Sequence, residues 1–182
     1  MSFHPTTQRL VLRAPMLSDM ADFVAILNDY DVAKNLQKVP HPFTNTLFRE
    51  ALARSDRERR DGSVHSFAVT RAMDGALIGL CSTERGADGT WEFGYWYGRP
   101  YWGQGYATEA ARPVMRFAFE DIGAERLTAG WFDDNPASGA VLHKLGFAIT
   151  GVARVHCRAR NCEVLSNRVQ LTRAEFARKK AA

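Results

Sequence analysis

The sequence predicts an α/β protein of three layers, a β-sheet flanked by helices. Three observations carry this. Short alternating runs interleave with segments of helical period along the whole chain, without an internal repeat or long linker. The run Trp91 to Tyr97 is almost entirely aromatic and reads as a central strand covered on both faces. Two strand-to-helix passages follow with sharp-turn chemistry, Gly103-Gln104-Gly105 and then Asn135-Pro136.

In chain order, Leu10 to Arg13 is a short strand. Ser18 is placed to cap a helix whose apolar positions Met20, Phe23, Val24 and Leu27 share one face. Val39 to Thr44, with Pro40 and Pro42, breaks the chain. Leu47, Phe48, Ala51 and Leu52 mark a second helix reaching about Arg60. Phe67 and Val69 alternate in a strand, and Asp74-Gly75 turns into the next, Leu77 to Thr83. After the glycine loop a helix runs to about Asp121. Pro113 inside it predicts a kink near Glu109, because proline removes one hydrogen bond and crowds the preceding turn. Leu127, Ala129 and Trp131 alternate in a strand. Asn135 caps the following helix, Pro136 takes its first position and Gly146 ends it. Two strands, about 147–155 and 164–171, close the chain around an arginine-bearing hairpin. Arg178-Lys179-Lys180 reads as a short basic tail that frays.

The stretch Trp102-Gly103-Gln104-Gly105-Tyr106-Ala107-Thr108 is the most informative. Glycines let a backbone turn tightly and approach a ligand closely. A helix starting there offers free N–H groups and a positive dipole end, a place for phosphate. As a bare pattern it also fits a simple turn. A dinucleotide fingerprint needs a third glycine where Thr108 stands, and an acidic residue closing the next strand. A P-loop needs a lysine that this loop lacks. A different phosphate-bearing cofactor is left.

Together these residues resemble the acyl-CoA loop of the GNAT acetyltransferase superfamily, Gln/Arg-x-x-Gly-x-Gly/Ala, with Gly105 and Ala107 on its last two positions. Trp102 departs from the usual Gln or Arg. That departure resembles the ribosomal-protein N-terminal alanine acetyltransferase branch (RimJ/RimL type), where Tyr-Trp-Gly-x-Gly-Tyr-Ala-Thr-Glu-Ala is common. Gln8 to Arg13, Glu92 to Trp96, Asn135 to Ser138 and Lys144 to Phe147 fit the same branch in order. The resemblance covers residues 7–175 of a single domain spanning 1–182. It implies a GNAT-like fold with a mixed, mostly antiparallel central sheet, and transfer of acetyl from acetyl-CoA to a primary amine.

The same resemblance assigns cofactor contacts to the backbone of Tyr95, Trp96 and Tyr97 and to the loop 102–108. Asn135 and Ser138 are placed by the pantetheine arm and the cofactor sulfur. Many relatives carry a tyrosine acid four residues before the Gly-Phe pair; here that position is Leu142. Ser138 is then the candidate to support the leaving thiolate, or simply a polar residue of a first helical turn. Glu92, an acid within an aromatic strand expected to be buried, is the candidate base. Its structural alternative is a carboxylate paired with an arginine. Glu109 needs no chemistry, since an acid near a helix start is favourable in itself.

Composition bounds the partners. The 182 residues are 46% hydrophobic and 24% charged, enough for one domain with a substantial core. The net charge of +4 suits a polyanionic cofactor. It forms no basic stripe of the nucleic-acid kind, because Asp56 and Glu58 dilute the run Arg54 to Arg60. No run approaches the roughly 20 apolar residues of a membrane span, and the opening Met1 to Pro5 shows no secretory pattern. Cys81, Cys157 and Cys162, with the histidines, show no metal spacing and suit reduced thiols in a cytoplasm. Cys157 and Cys162 could face each other across a hairpin, which the sequence alone does not show. Other functions left open are acetylation of a small-molecule amine, a non-catalytic acyl-CoA-binding module and, more remotely, a nucleic-acid-associated protein. Either a monomer or a homodimer fits, the branch often being dimeric.

Overall fold

The computed structural model describes residues 4–181. Met1-Ser2-Phe3, part of the stretch read for a secretory pattern, lie outside the described residues. Among the described residues, seven strands form one sheet in the order β1-β2-β3-β4-β5-β7-β6. They are β1 (Leu10–Arg13), β2 (Val64–Arg71), β3 (Leu77–Arg85), β4 (Trp91–Tyr97), β5 (Arg126–Phe132), β6 (Ala148–Cys157) and β7 (Cys162–Thr172). Every neighbouring pair is antiparallel except β4 and β5. The helices are α1 (Met20–Leu27), α2 (Tyr30–Ala33), α3 (Asn45–Asp61), α4 (Tyr106–Arg116), α5 (Pro136–Leu145) and α6 (Arg173–Ala181).

The sheet separates two apolar layers. On one face Phe23 and Leu27 of α1 and Phe48 of α3 pack with Ala68, Leu77 and Trp96. On the other, α4 and α5 bury Ala110, Val114, Met115, Leu142 and Leu145 against Phe67, Phe93, Leu127 and Val169. Burial of these side chains contributes about 1.5–3 kcal/mol each for the larger ones. The three-layer α/β reading is thus the observed fold.

Two local expectations are corrected, the cap at Ser18 and the frayed tail. Ser18 does not cap α1. The carboxylate of Asp19 takes the backbone N–H of Met16 and both terminal nitrogens of Arg13, so a 3₁₀ turn precedes the helix. Pro113 lies inside α4 with helical residues on both sides, and a π turn over Phe117–Asp121 carries the helical run to the expected Asp121. The basic tail belongs to α6. Glu175 N–H donates to Thr172 Oγ1 while Thr172 N–H donates to the Glu175 carboxylate, a reciprocal cap, and Phe176 stacks on Phe119 at 4.8 Å. Cys157 and Cys162 face each other across the β6–β7 hairpin as register partners, both as free thiols, with Cys162 exposed and the Cys157 thiol 3.6 Å from the carbonyls of Lys34 and Leu36.

Candidate active site

The site begins with the one parallel pair. Strands β4 and β5 are in register only at Trp91–Leu127 and Glu92–Thr128, and then part. The carbonyl of Trp91 accepts the Thr128 hydroxyl at 3.3 Å and so faces β5. With the period of two along a strand, the backbone groups of Phe93, Tyr95 and Tyr97 face the same way, into a widening gap without a β5 partner. Trp96 differs. By the same alternation its backbone groups face β3, and its indole lies on the α1 face, 5.1 Å from Phe23. Trp96 therefore does not present its ring to the gap, and only its neighbours keep backbone groups there. At the wide end the Trp102 indole N–H donates to the Tyr97 carbonyl at 2.7 Å, so that acceptor is already taken.

The loop after β4 leads into α4. Gly103 and Gly105 have φ of 72° and 80°, left-handed values that favour glycine. Gly105 is the residue before the first turn of α4, and no side chain caps that turn. The first N–H groups of a helix have no partner within it, so those of Gly105 to Thr108 are presented outward. Gln104 is folded back into the loop through its side chain, which donates to the Pro100 carbonyl at 2.7 Å.

Helix α5 follows β5 on the other side of the gap. Asn135 Oδ1 accepts the Ser138 N–H at 3.3 Å, so its side chain is engaged as the expected cap. The hydroxyl of Tyr95 reaches across from β4 to within 2.8 Å of Ser138 Oγ and 3.0 Å of the Ser138 carbonyl. Burial pushes the Tyr95 phenol well up, against the opposing pull of the Ser138 hydrogen bond, so it stays protonated at neutral pH. Beneath it the Tyr97 hydroxyl meets Cys81 Sγ at 3.1 Å, and burial pushes that thiol up to about 12. Cys81 is consequently an inert core thiol.

Glu92 marks the vertex of the gap as the last β4 residue paired with β5. The expectation of a dry carboxylate fails. Its side chain is 40% exposed and pairs with Arg168 Nη2 at 3.3 Å. Arg168 lies on β7 and reaches Glu92 across Gly130 of β5, where a Cβ would meet Arg168 Nη1 at 3.2 Å. Glu92 shares the Trp96 face of β4, whereas Ser138 meets Tyr95 on the opposite face. The two candidate catalytic residues thus approach the gap from opposite sides of the sheet. Sequence reasoning missed Arg168, Gly130 and the hydroxyl of Tyr95, since each acts through a contact distant along the chain.

The site thus combines a three-layer fold, a split parallel pair and an uncapped, glycine-led helix at the split. Residues 9–148 match the family model described as acetyltransferase (GNAT) domain, and the chain belongs to this family as an N-acetyltransferase. It is 26% identical to the uncharacterized N-acetyltransferase p20 of Bacillus licheniformis over 174 residues, 94% of this chain and 97% of the relative. The ribosomal-protein-S5-alanine acetyltransferase structure from Vibrio fischeri superposes with a TM-score of 0.82 at 19% identity, covering 96% of this chain and 98% of that one. The spermidine N-acetyltransferase of Vibrio cholerae, in complex with CoA and spermine, gives 0.78 at 17%, covering 94% and 99%.

Proposed function

We propose that this N-acetyltransferase takes its acetyl group from acetyl-CoA and passes it directly to the primary amine of a peptide N-terminus. One observation carries the cofactor reading: the unpartnered β4 edge opens beside an uncapped helix start. An extended pantetheine arm pairs with the edge at Phe93 and Tyr95, and a pyrophosphate meets the amides of 105–108. A backbone N–H of β4 polarises the thioester carbonyl as charge develops on its oxygen.

The amine nitrogen forms the new bond to the acetyl carbon, and the carbon–sulfur bond breaks. Glu92 accepts the ammonium proton through water, which its exposure admits. The Tyr95 phenol donates its one proton to the Ser138 carbonyl, which leaves the Ser138 hydroxyl, 2.8 Å from the phenol oxygen, to donate a hydrogen bond to the departing sulfur; that thiolate takes up the second nitrogen proton as the amide forms. Much of the acceleration comes from holding amine and thioester in one gap.

The acceptor follows from charge on the Glu92 face. Glu84, the register partner of Glu92, pairs with Lys38, and Glu92 with Arg168. Asp134 at the β5 exit pairs with Arg160, which also donates to the Lys34 carbonyl. With these three carboxylates already matched by cations, the site suits a single amine followed by polar backbone better than a polyamine carrying several charges. Free-thiol release from acetyl-CoA should therefore appear with peptides bearing a free N-terminus, vanish when that terminus is blocked, and be weaker with spermidine. Preference for spermidine over every peptide in a broad panel contradicts the acceptor assignment.

A further inference from the structure

Arg9, just before β1, makes more contacts to the glycine loop and α4 than a strand-entry residue requires. Its Nη1 donates to the Gln104 carbonyl at 3.1 Å. Its Nε donates to Glu109 Oε2 at 2.7 Å, its Nη2 lies 2.6 Å from the same oxygen, and its backbone N–H donates to Oε1 at 3.0 Å. Thr7 Oγ1 adds a bond to Oε1 at 2.6 Å. The guanidinium lies over the Tyr106 ring, 4.4 Å from its centroid. Strand entry, glycine loop and first helical turn are joined through one side chain that is itself 44% exposed.

The consequence lies in the peptide between Gln104 and Gly105. In a trans peptide the C=O and the following N–H point in opposite directions. Arg9 draws the Gln104 carbonyl toward β1, so the Gly105 N–H is turned away from it. We propose that Arg9, held by Glu109, is a positioning residue for the cofactor's pyrophosphate, aiming the Gly105 N–H at the site where it binds. The proposal rests on the reading of the α4 start as the pyrophosphate cradle. Glu109 supplies a contrast of sign. As a bare anion beside the first turn it repels a polyanion, so its removal should tighten CoA binding. As the anchor of Arg9, its removal should loosen it.

The test measures CoA affinity by titration calorimetry for the full chain and for Arg9→Ala, Arg9→Lys and Glu109→Gln. The CoA-induced shift of the Gly105 amide is followed by NMR in each. Arg9→Ala should raise Kd about tenfold, the scale of one charge-assisted hydrogen bond. Arg9→Lys should not rescue it, because an ammonium cannot span a carbonyl and a carboxylate as the planar guanidinium does. Glu109→Gln should also weaken CoA, and the Gly105 shift should shrink in all three. Tighter binding by Glu109→Gln, full rescue by Arg9→Lys or an undiminished Gly105 shift would each overturn the proposal. If Arg9→Ala fails to fold, the sign of the Glu109→Gln effect decides. A wild-type Gly105 amide that ignores bound CoA removes the cradle reading itself, and the role of Arg9 with it.

Discussion

Helices α4 and α5 each follow a strand bordering the same gap, yet their first turns are finished in opposite ways. At α5 the chain supplies its own partner, Asn135 accepting the Ser138 N–H, with Pro136 removing one donor. At α4 the corresponding position is Gly105, which has no side chain and a left-handed φ, and the turn carries no side-chain cap. A side-chain cap in place of glycine at that position would contribute roughly a few tenths of a kcal/mol. Leaving it out costs stability and leaves donors for something else. In the proposed function the α5 start serves the fold and the α4 start a ligand.

The largest expected effect lies at neither start but at the vertex between them. Glu92→Gln should lower turnover about 10²–10⁴-fold while CoA affinity is kept, measured with an accepted peptide. A variant that retains most of its turnover makes Glu92 a structural partner of Arg168. Next comes the open start. Gly105→Val should raise the CoA Kd by about a hundredfold, since a β-branched residue resists φ near 80° and displaces the loop. Circular dichroism should show the fold retained. Unchanged affinity in the folded variant makes the loop a simple turn.

The capped start should respond in the other currency. Asn135→Ala should cost about 1 kcal/mol, a fall of roughly 2–4 °C in melting temperature. Any loss of CoA affinity should be much smaller than at Gly105, and the reverse ranking breaks the comparison. The smallest effect concerns Glu109. Burial favours its neutral form, but hydrogen bonds from Thr7 and from the side chain and backbone of Arg9 outweigh it and hold the carboxyl below the ordinary glutamate range. Its contribution is therefore complete only above the ordinary glutamate value of about 4.3 and is lost as pH falls through the lower folded value. Thermal melts of Glu109→Gln should show a flatter acid limb than the wild type.

What was legible in the sequence was local. Strand Trp91–Tyr97, the cap at Asn135 and the left-handed end at Gly146 follow from short-range residue chemistry, and the structure has them at those positions. The capping signal Thr172-Arg173-Ala174-Glu175 was equally present and announces α6. Helix α2, only four residues long, has too few positions to show a period. Arg168 on Glu92 and Tyr95 on Ser138 depend on which strands become neighbours, and no local pattern encodes that. The supposed burial of Glu92 failed for the same reason: aromatic neighbours in sequence point to both faces, while its own face is open beside the parting of β4 and β5.

The central claim is that the uncapped start of α4 receives the cofactor's pyrophosphate. A crystal structure of the protein with CoA tests it most directly, through the distances from the pyrophosphate oxygens to the backbone nitrogens of residues 105–108. The account predicts several at roughly 2.7–3.2 Å, with the pantetheine arm along Phe93 and Tyr95. A pyrophosphate seated at the start of α5, or held by side chains away from both helices, would contradict it.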